Sequence, residues 1–241
     1  MSILSLKDVS AFYGDLTAVD SVSFDVGEGE VVALVGANGA GKSTLMRSIS
    51  GAHHQVKGTF AYEGQDLAGV SDNERVARGI ALVPEGRRLF GSLTVKENLV
   101  VGAATRREGR WDLDAVLEVF PMLQPLLNRN ATQLSGGQQQ AVAIGRALMS
   151  NPQLLLLDEV SLGLAPIVVD EVYGALDSVL KEGLAVVLVE QDLTRAFKSA
   201  SRLVCMLEGR VVLEGGADQL SRDEVSNAYF GHSVKGGGME R

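Results

Sequence analysis

"GANGAGKST", residues 36 to 44, follows the apolar run "EVVALV" and leads into "LMRSIS", a stretch of helical character. Buried strand, glycine-rich loop, lysine-serine and helix, in that order, give both the spacing and the context of a phosphate-binding P-loop. In such a loop Gly36, Gly39 and Gly41 let backbone N–H groups wrap phosphate oxygens, with Asn38, Ala40 and Thr44 completing the nucleotide cradle. Lys42 supplies a cation to the β- and γ-phosphates, and the Ser43 hydroxyl is placed for Mg²⁺.

Outward from that loop, "GIALVPE", "LLLLDE" and "AVVLVEQ" are further short Val, Leu and Ile runs, separated by stretches of helical period. That alternation predicts an α/β fold built on a largely parallel sheet covered by helices. "SLKDVSAFYG" and "DSVSFDVGEGE" alternate like antiparallel edge strands around a Gly-rich turn, which predicts a mixed sheet and an antiparallel β subdomain. Helical patterns dominate between Pro84 and Pro152, in "TVKENLVVGAATRR", "DLDAVLEVFPML" and "GQQQAVAIGRALMS". The division expected is a core of residues 1–86 plus 152–230, an inserted helical lobe of residues 87–151 with "RREGRW" (106–111) as its polar hinge, and a disordered tail over 231–241.

Composition narrows the partners. The chain has 241 residues, 46% hydrophobic and 22% charged, with a net charge of -8. An acidic balance disfavours nucleic acid, which requires a basic face. No apolar run approaches the ~18 residues needed to cross a bilayer, and the start lacks the layout of a cleaved signal, so a cytoplasmic protein is expected. The single cysteine, Cys205 in "RLVCML", reads as a small apolar residue on a buried strand. His53, His54 and His232 have no metal-ligand spacing with other His or Cys residues.

The carboxylates that suit a P-loop are at strand ends. "LLLLDE" closes an apolar strand with Asp158, placed to contact Mg²⁺ directly or through water, and Glu159, placed to polarise an attacking water. Glu85 in "VPEGRRLF" ends another strand and could add an oxygen to Mg²⁺ or its water. Tyr13 in "AFYGD" offers a flat ring to an adenine base. "LSGGQ" adds a second anion site, Ser135, Gly136, Gly137 and Gln138 at the start of a helix, without a lysine. From Gln138 to Ser150 that helix rises roughly 20 Å, which separates this turn from the strand leading to Asp158, although the return path leaves room for the two to meet. A lysine-free anion site is most useful when it caps a nucleotide held by another chain, so "LSGGQ" implies a dimer.

Taken together, "GANGAGKST", "LSGGQ" and "LLLLDE", in this order over nearly the whole chain, resemble the ATP-binding cassette of ABC proteins. The resemblance implies ATP and Mg²⁺ as the bound groups, Glu159, Gln191 and Lys42 as catalytic residues, and a head-to-tail dimer whose signature residues Ser135 to Gln138 close over the partner's γ-phosphate. "VPEGRRLFGSLTVKENL", "LDEVSLGLAP" and "LVEQDL" resemble, more narrowly, the LivF-type ATPase subunit of branched-chain amino acid importers. That branch implies a second cassette (a heterodimer, with a homodimer as the alternative), transmembrane permease subunits docking near Glu85 to Phe90, a periplasmic binding protein, and a peripheral position on the cytoplasmic face of the membrane. It also accommodates Glu85 where most cassettes have glutamine, Gln191 where most have histidine, and Ala165 near the usual aspartate. Val160 departs from the proline common after the two acids. Two other readings remain: a soluble ABC ATPase clamping nucleic acid, which the acidic balance disfavours, and a low-turnover regulatory subunit, against which Lys42, Asp158 and Glu159 argue.

Overall fold

The computed structural model describes residues 2–229; the predicted tail over 231–241 lies outside them. In chain order the elements are β1 (Ser2–Tyr13), β2 (Leu16–Gly27), β3 (Val31–Val35), α1 (Lys42–Ser50), β4 (Val56–Tyr62), β5 (Gln65–Asp66), α2 (Asp72–Arg78), β6 (Ile80–Val83), α3 (Val95–Gly102) and α4 (Leu113–Val119). There follow α5 (Gly136–Leu148), β7 (Leu154–Asp158), α6 (Pro166–Leu180), β8 (Ala185–Glu190), α7 (Leu193–Ser199), β9 (Arg202–Leu207), β10 (Arg210–Gly216) and α8 (Arg222–Tyr229).

Six strands form the central sheet in the order β10-β9-β3-β8-β7-β6, with every pair parallel except β10 against β9. The two N-terminal strands form the antiparallel β subdomain that their alternation predicts, apart from this sheet. They pair antiparallel with each other, and β1 pairs on its other side with β4, so a separate sheet of order β2-β1-β4-β5 results. The strand that makes the central sheet mixed is β10. It returns along β9 through Glu208 and Gly209, both at positive φ (49° and 83°), as a two-residue hairpin turn requires.

Period-two alternation in β7 and β8 decides which residues face α1. Leu154, Leu156, Ala185, Val187 and Val189 pack with α1 and the antiparallel sheet. Leu155, Leu157, Val186 and Leu188 pack on the opposite face with the helices of the lobe and α6. Asp158 therefore continues the α1 side of the sheet, and Glu190 continues the α6 side. A third cluster joins β3 and β9 to α7 and α8 and contains Cys205, buried as its sequence setting suggested. Burial pushes its thiol up to about 11.

Within the lobe, α4 stops at Val119 ahead of Pro121, because the residue before a proline is pushed out of the helical region. The segment 106–111 is pinned, which corrects its reading as a hinge. Trp111 is buried, its N–H donates to Asn151 Oδ1 (2.6 Å), Arg107 Nε donates to the Asn151 carbonyl (2.9 Å), and Arg110 pairs with Glu182. No helix among the described residues is long and apolar enough to cross a membrane.

Candidate active site

The site lies at the C-terminal ends of β3, β7, β8 and β6, where parallel sheets place their ligands. A cleft of about 340 Å³ is lined there by Asn38, Gly39, Gly41 to Thr44, Glu85, Glu159, Leu162 and Gln191. The loop geometry is glycine-dependent. Gly41 caps α1 at φ 95°, and a Cβ there would collide with the carbonyl oxygen of Ala18. Gly36 is similarly closed off by the carbonyl of Met206, whereas Gly39, at φ 84°, faces open space.

Lys42 opens α1 yet is only 4% exposed. Its ammonium donates to the carbonyls of Gly36 (2.6 Å) and Ala37 (2.9 Å), two of the three hydrogen bonds it can make. Burial holds its pKa below the ordinary lysine range, opposed by the charges of Glu159 and Asp158. Ser43 donates from Oγ to Asp158 Oδ1 at 2.9 Å, which joins the P-loop to the end of β7. Asp158 is 1% exposed, and its Oδ2 is buried without a hydrogen-bond partner. Burial pushes its carboxyl above the usual carboxylate range, with Ser43 pulling it down and Glu159 and Glu85 pushing it up.

An orphaned buried carboxylate oxygen beside a serine hydroxyl suits a hard divalent cation that takes oxygen ligands and keeps few of them from protein. No group of three or more His, Cys, Asp or Glu side chains with metal-site geometry occurs among the described residues, so such a cation would take its remaining ligands from phosphate and water.

Glu159 breaks from the strand into the left-handed region at φ 50°. That turn carries its side chain into the cleft, where Gln191 Nε2 donates to Glu159 Oε2 at 2.7 Å. The strained backbone is held by Glu159 N–H to the Val189 carbonyl (3.3 Å) and by Leu162 N–H to the Glu159 carbonyl (3.1 Å). Tyr13 sits beside the loop, 45% exposed, with its hydroxyl 3.5 Å from Thr44 Oγ1 and its ring against His53 (centroids 4.7 Å apart). Val160 is buried among the apolar side chains of the lobe face.

The signature residues do not line this cleft. Ser135 caps α5 in a capping box: its Oγ accepts from Gln138 N–H (3.4 Å), and Gln138 Oε1 accepts from Ser135 N–H (3.0 Å). Arg87 lies against the start of α5, donating to Gln139 Oε1 at 3.3 Å, with its guanidinium packed close to Gly136.

Sequence reasoning missed the side chains that fix the loop after Glu85. Asn98, fully buried, accepts from Phe90 N–H (2.9 Å) and donates to the carbonyls of Phe90, Leu93 and Thr94. Arg146 donates to the carbonyls of Arg88 (2.9 Å) and Arg87 (3.2 Å) and lies over the Phe90 ring. A buried asparagine in a helix carries no one-dimensional signature. Glu190, 1% exposed at the end of β8, was also missed, although an acid closing an apolar run was the signal that found Asp158.

A P-loop cleft with a serine-aspartate pair and a glutamate-glutamine pair, together with a detached glycine-rich helix start, defines an ATP-binding cassette. The chain belongs to the ABC transporter family, whose model matches residues 19–161, and it is an ABC-type ATPase. It is 44% identical to the high-affinity branched-chain amino acid transport ATP-binding protein BraG of Pseudomonas aeruginosa, over 95% of this chain and 100% of that one. It is 34% identical to the probable branched-chain amino acid transport ATP-binding protein LivF of Archaeoglobus fulgidus, over 92% and 95% of the two chains. Among solved structures it resembles a nucleotide-free cassette from an ABC transporter (TM-score 0.81, 28% identity, 95% of each chain). It also resembles a dimeric cassette in a post-hydrolysis state bound to ADP and phosphate (TM-score 0.79, 27% identity, 89% of this chain and 98% of that one).

Proposed function

We propose that the chain is the ATP-hydrolysing subunit of an importer for branched-chain or related amino acids. The observation that carries this reading is the 44% identity to BraG over 95% of this chain and 100% of that one, together with a cleft lined by Lys42, Ser43, Glu85, Glu159 and Gln191. The chain would act at the cytoplasmic face of the membrane, peripherally, with a second cassette and transmembrane permease subunits. A periplasmic binding protein would deliver the solute, and no nucleic acid is involved.

In this reading the P-loop N–H groups and Lys42 hold the β- and γ-phosphates of ATP, and the exposed face of Tyr13 meets the adenine. Ser43 and Asp158, with Glu85 at the cleft rim, would hold Mg²⁺, which neutralises charge on the phosphates when bound. Glu159 accepts a hydrogen bond from the attacking water and orients it, while Gln191 fixes the Glu159 carboxylate. Ser135, Gly136, Gly137 and Gln138 close over the partner's nucleotide, and their absence from the lining of this chain's own cleft supports that arrangement.

Residues 87–151 form the moving lobe on the core of 1–86 plus 152–230. Its permease contact is the groove that includes Val76, Arg88, Phe90, Val101 and Arg146, beside the anchored loop after Glu85. Phe90 and Val101 are 49% and 41% exposed there, an apolar pair suited to a partner helix. Reconstitution with the permease and binding protein in liposomes tests the proposal. ATP-dependent uptake of leucine, isoleucine or valine is expected; uptake confined to a solute of another class would overturn the substrate assignment.

A further inference from the structure

At the end of β8 two neighbouring polar side chains leave opposite faces of the sheet. Gln191 turns toward the cleft and grips Glu159. Glu190 follows Val186 and Leu188 onto the α6 face, where a carboxylate has no place in an apolar column without partners. It has two. Ser161 Oγ donates to Glu190 Oε1 at 2.9 Å, and the Tyr173 hydroxyl of α6 donates to the same oxygen.

Ser161 lies in the loop that leaves Glu159 and runs to Pro166 at the start of α6. The next residue, Leu162, is 50% exposed, lines the nucleotide cleft, and donates its N–H to the Glu159 carbonyl. The Tyr173 ring is in turn braced by the Arg195 guanidinium, 5.5 Å from its centroid, which pairs with Asp170 and Asp192. Burial, and then the charge of Glu190, push the Tyr173 hydroxyl well above its ordinary range, so it remains a donor.

We propose that Glu190 is a positioning residue for hydrolysis. Its one oxygen ties the loop after Glu159 and helix α6 to the strand end that carries Gln191, so the Glu159–Gln191 pair keeps its geometry only while the Ser161 and Tyr173 bonds are made. The inference rests on the roles proposed above for Glu159 and Gln191. Loss of the clamp leaves the P-loop untouched, and nucleotide affinity is retained while turnover falls.

The test is steady-state ATPase kinetics of the assembled complex, with the other cassette's site disabled if the complex holds two different cassettes. Glu190→Leu removes the acceptor at similar size and should lower kcat at least about tenfold with KM for ATP within about twofold, the pattern of a group that acts on the chemical step alone. Glu190→Gln keeps an acceptor oxygen and should restore most of the rate. Ser161→Ala and Tyr173→Phe should each lower kcat several-fold (~3–10-fold), and neither should lower it further in the Glu190→Leu background, because they remove the same linkage.

Wild-type kcat in Glu190→Leu, or equal loss in the Leu and Gln variants, overturns the proposal. If Glu190→Leu does not fold, wild-type kcat in both Ser161→Ala and Tyr173→Phe overturns it. Glu159→Gln serves as the control: if that variant keeps wild-type turnover, the reading of the site has failed, and not the clamp.

Discussion

Two glycine-rich helix starts in this chain look alike in sequence and are built differently. At α1 the capping residue is Gly41 in the left-handed region, with no side-chain cap and no acid in the first turn. At α5 the capping residue is Ser135, and it and Gln138 satisfy each other's backbone donors. The first helix leaves its N–H groups to an acceptor from outside the chain and sets a buried lysine beside them. At the second, two donors are already met by the chain's own side chains, and the cation beside it is Arg87, which donates to Gln139, in place of a lysine opening the helix. The difference supports the proposal that α1 is a phosphate site complete in itself and that α5 acts on a nucleotide presented by another chain.

The sharpest way to break that contrast is Lys42→Ala. Removing the one buried cation of the complete site should reduce ATPase activity to background and weaken nucleotide binding strongly, measured by phosphate release and by titration with a fluorescent nucleotide. Unchanged turnover would mean that α1 is no more a phosphate site than α5.

Next in size is Glu159→Gln, which keeps the shape and removes the charge. A loss on the order of 10²–10⁴-fold in turnover is expected, as for other removed general bases, with binding spared. The variant should therefore accumulate as an ATP-bound closed dimer, visible by size-exclusion chromatography with Mg-ATP. A monomer in those conditions, alone and with its partner cassette, would separate closure from ATP binding and undo the proposed role of α5.

The contrast itself is tested by complementation. Ser135→Arg blocks the incomplete site of its own chain and leaves that chain's P-loop intact; Lys42→Ala does the reverse. Mixed dimers should regain one working composite site, about half the wild-type activity per mixed dimer if the sites act independently. In a heterodimeric system the two substitutions are divided between the two cassettes. Failure of the mixture, or loss of nucleotide binding in Ser135→Arg alone, would show that the serine serves its own chain.

How much of this was legible in sequence follows from what each feature depends on. The P-loop, the apolar strands and the acids closing "LLLLDE" are local patterns, because a strand's alternation fixes which way Asp158 faces and the loop spacing fixes Lys42 and Ser43. The antiparallel β subdomain was visible from the alternation of its first two strands, but its other members, β4 and β5, were not, since period two says which face a residue takes and nothing about which neighbour a strand pairs with. The segment 106–111 reads as a polar hinge because its arginines are charged; Asn151, forty residues along the chain from Trp111, pins it. Arg146 and Glu190 are polar residues whose meaning lies in partners from other elements, while Asn98 bonds Phe90, Leu93 and Thr94 within eight residues, a loop contact that neither helical nor strand periodicity signals.

A smaller loss than that of Lys42→Ala or Glu159→Gln is expected at Gln191, and it separates positioning from proton transfer within the α1 site. Its Nε2 donates to Glu159 Oε2 at 2.7 Å, so it acts on the carboxylate proposed to orient the water. A hydrogen bond to a charged group contributes ~1.5–3 kcal/mol, which corresponds to a fall of roughly ten- to a hundredfold in kcat for Gln191→Ala, with ATP binding little changed. Gln191→His restores a donor and should retain activity within several-fold, about the cost of a reoriented hydrogen bond. It also adds a titrating group: an ordinary histidine changes charge near pH ~6.5, and the adjacent Glu159 carboxylate holds the protonated form to higher pH. Below that pKa the imidazolium pairs with Glu159 and weakens its pull on the water, so the rate of Gln191→His should fall as pH drops through this region, while the wild type, with an amide there, has no such step. The assay needs a homodimer, or a heterodimer whose other site is disabled, so that a partner's histidine does not mask the effect. A wild-type rate in Gln191→Ala, together with a flat profile in Gln191→His, would make the amide a bystander and leave Glu159 oriented by its strained backbone turn alone.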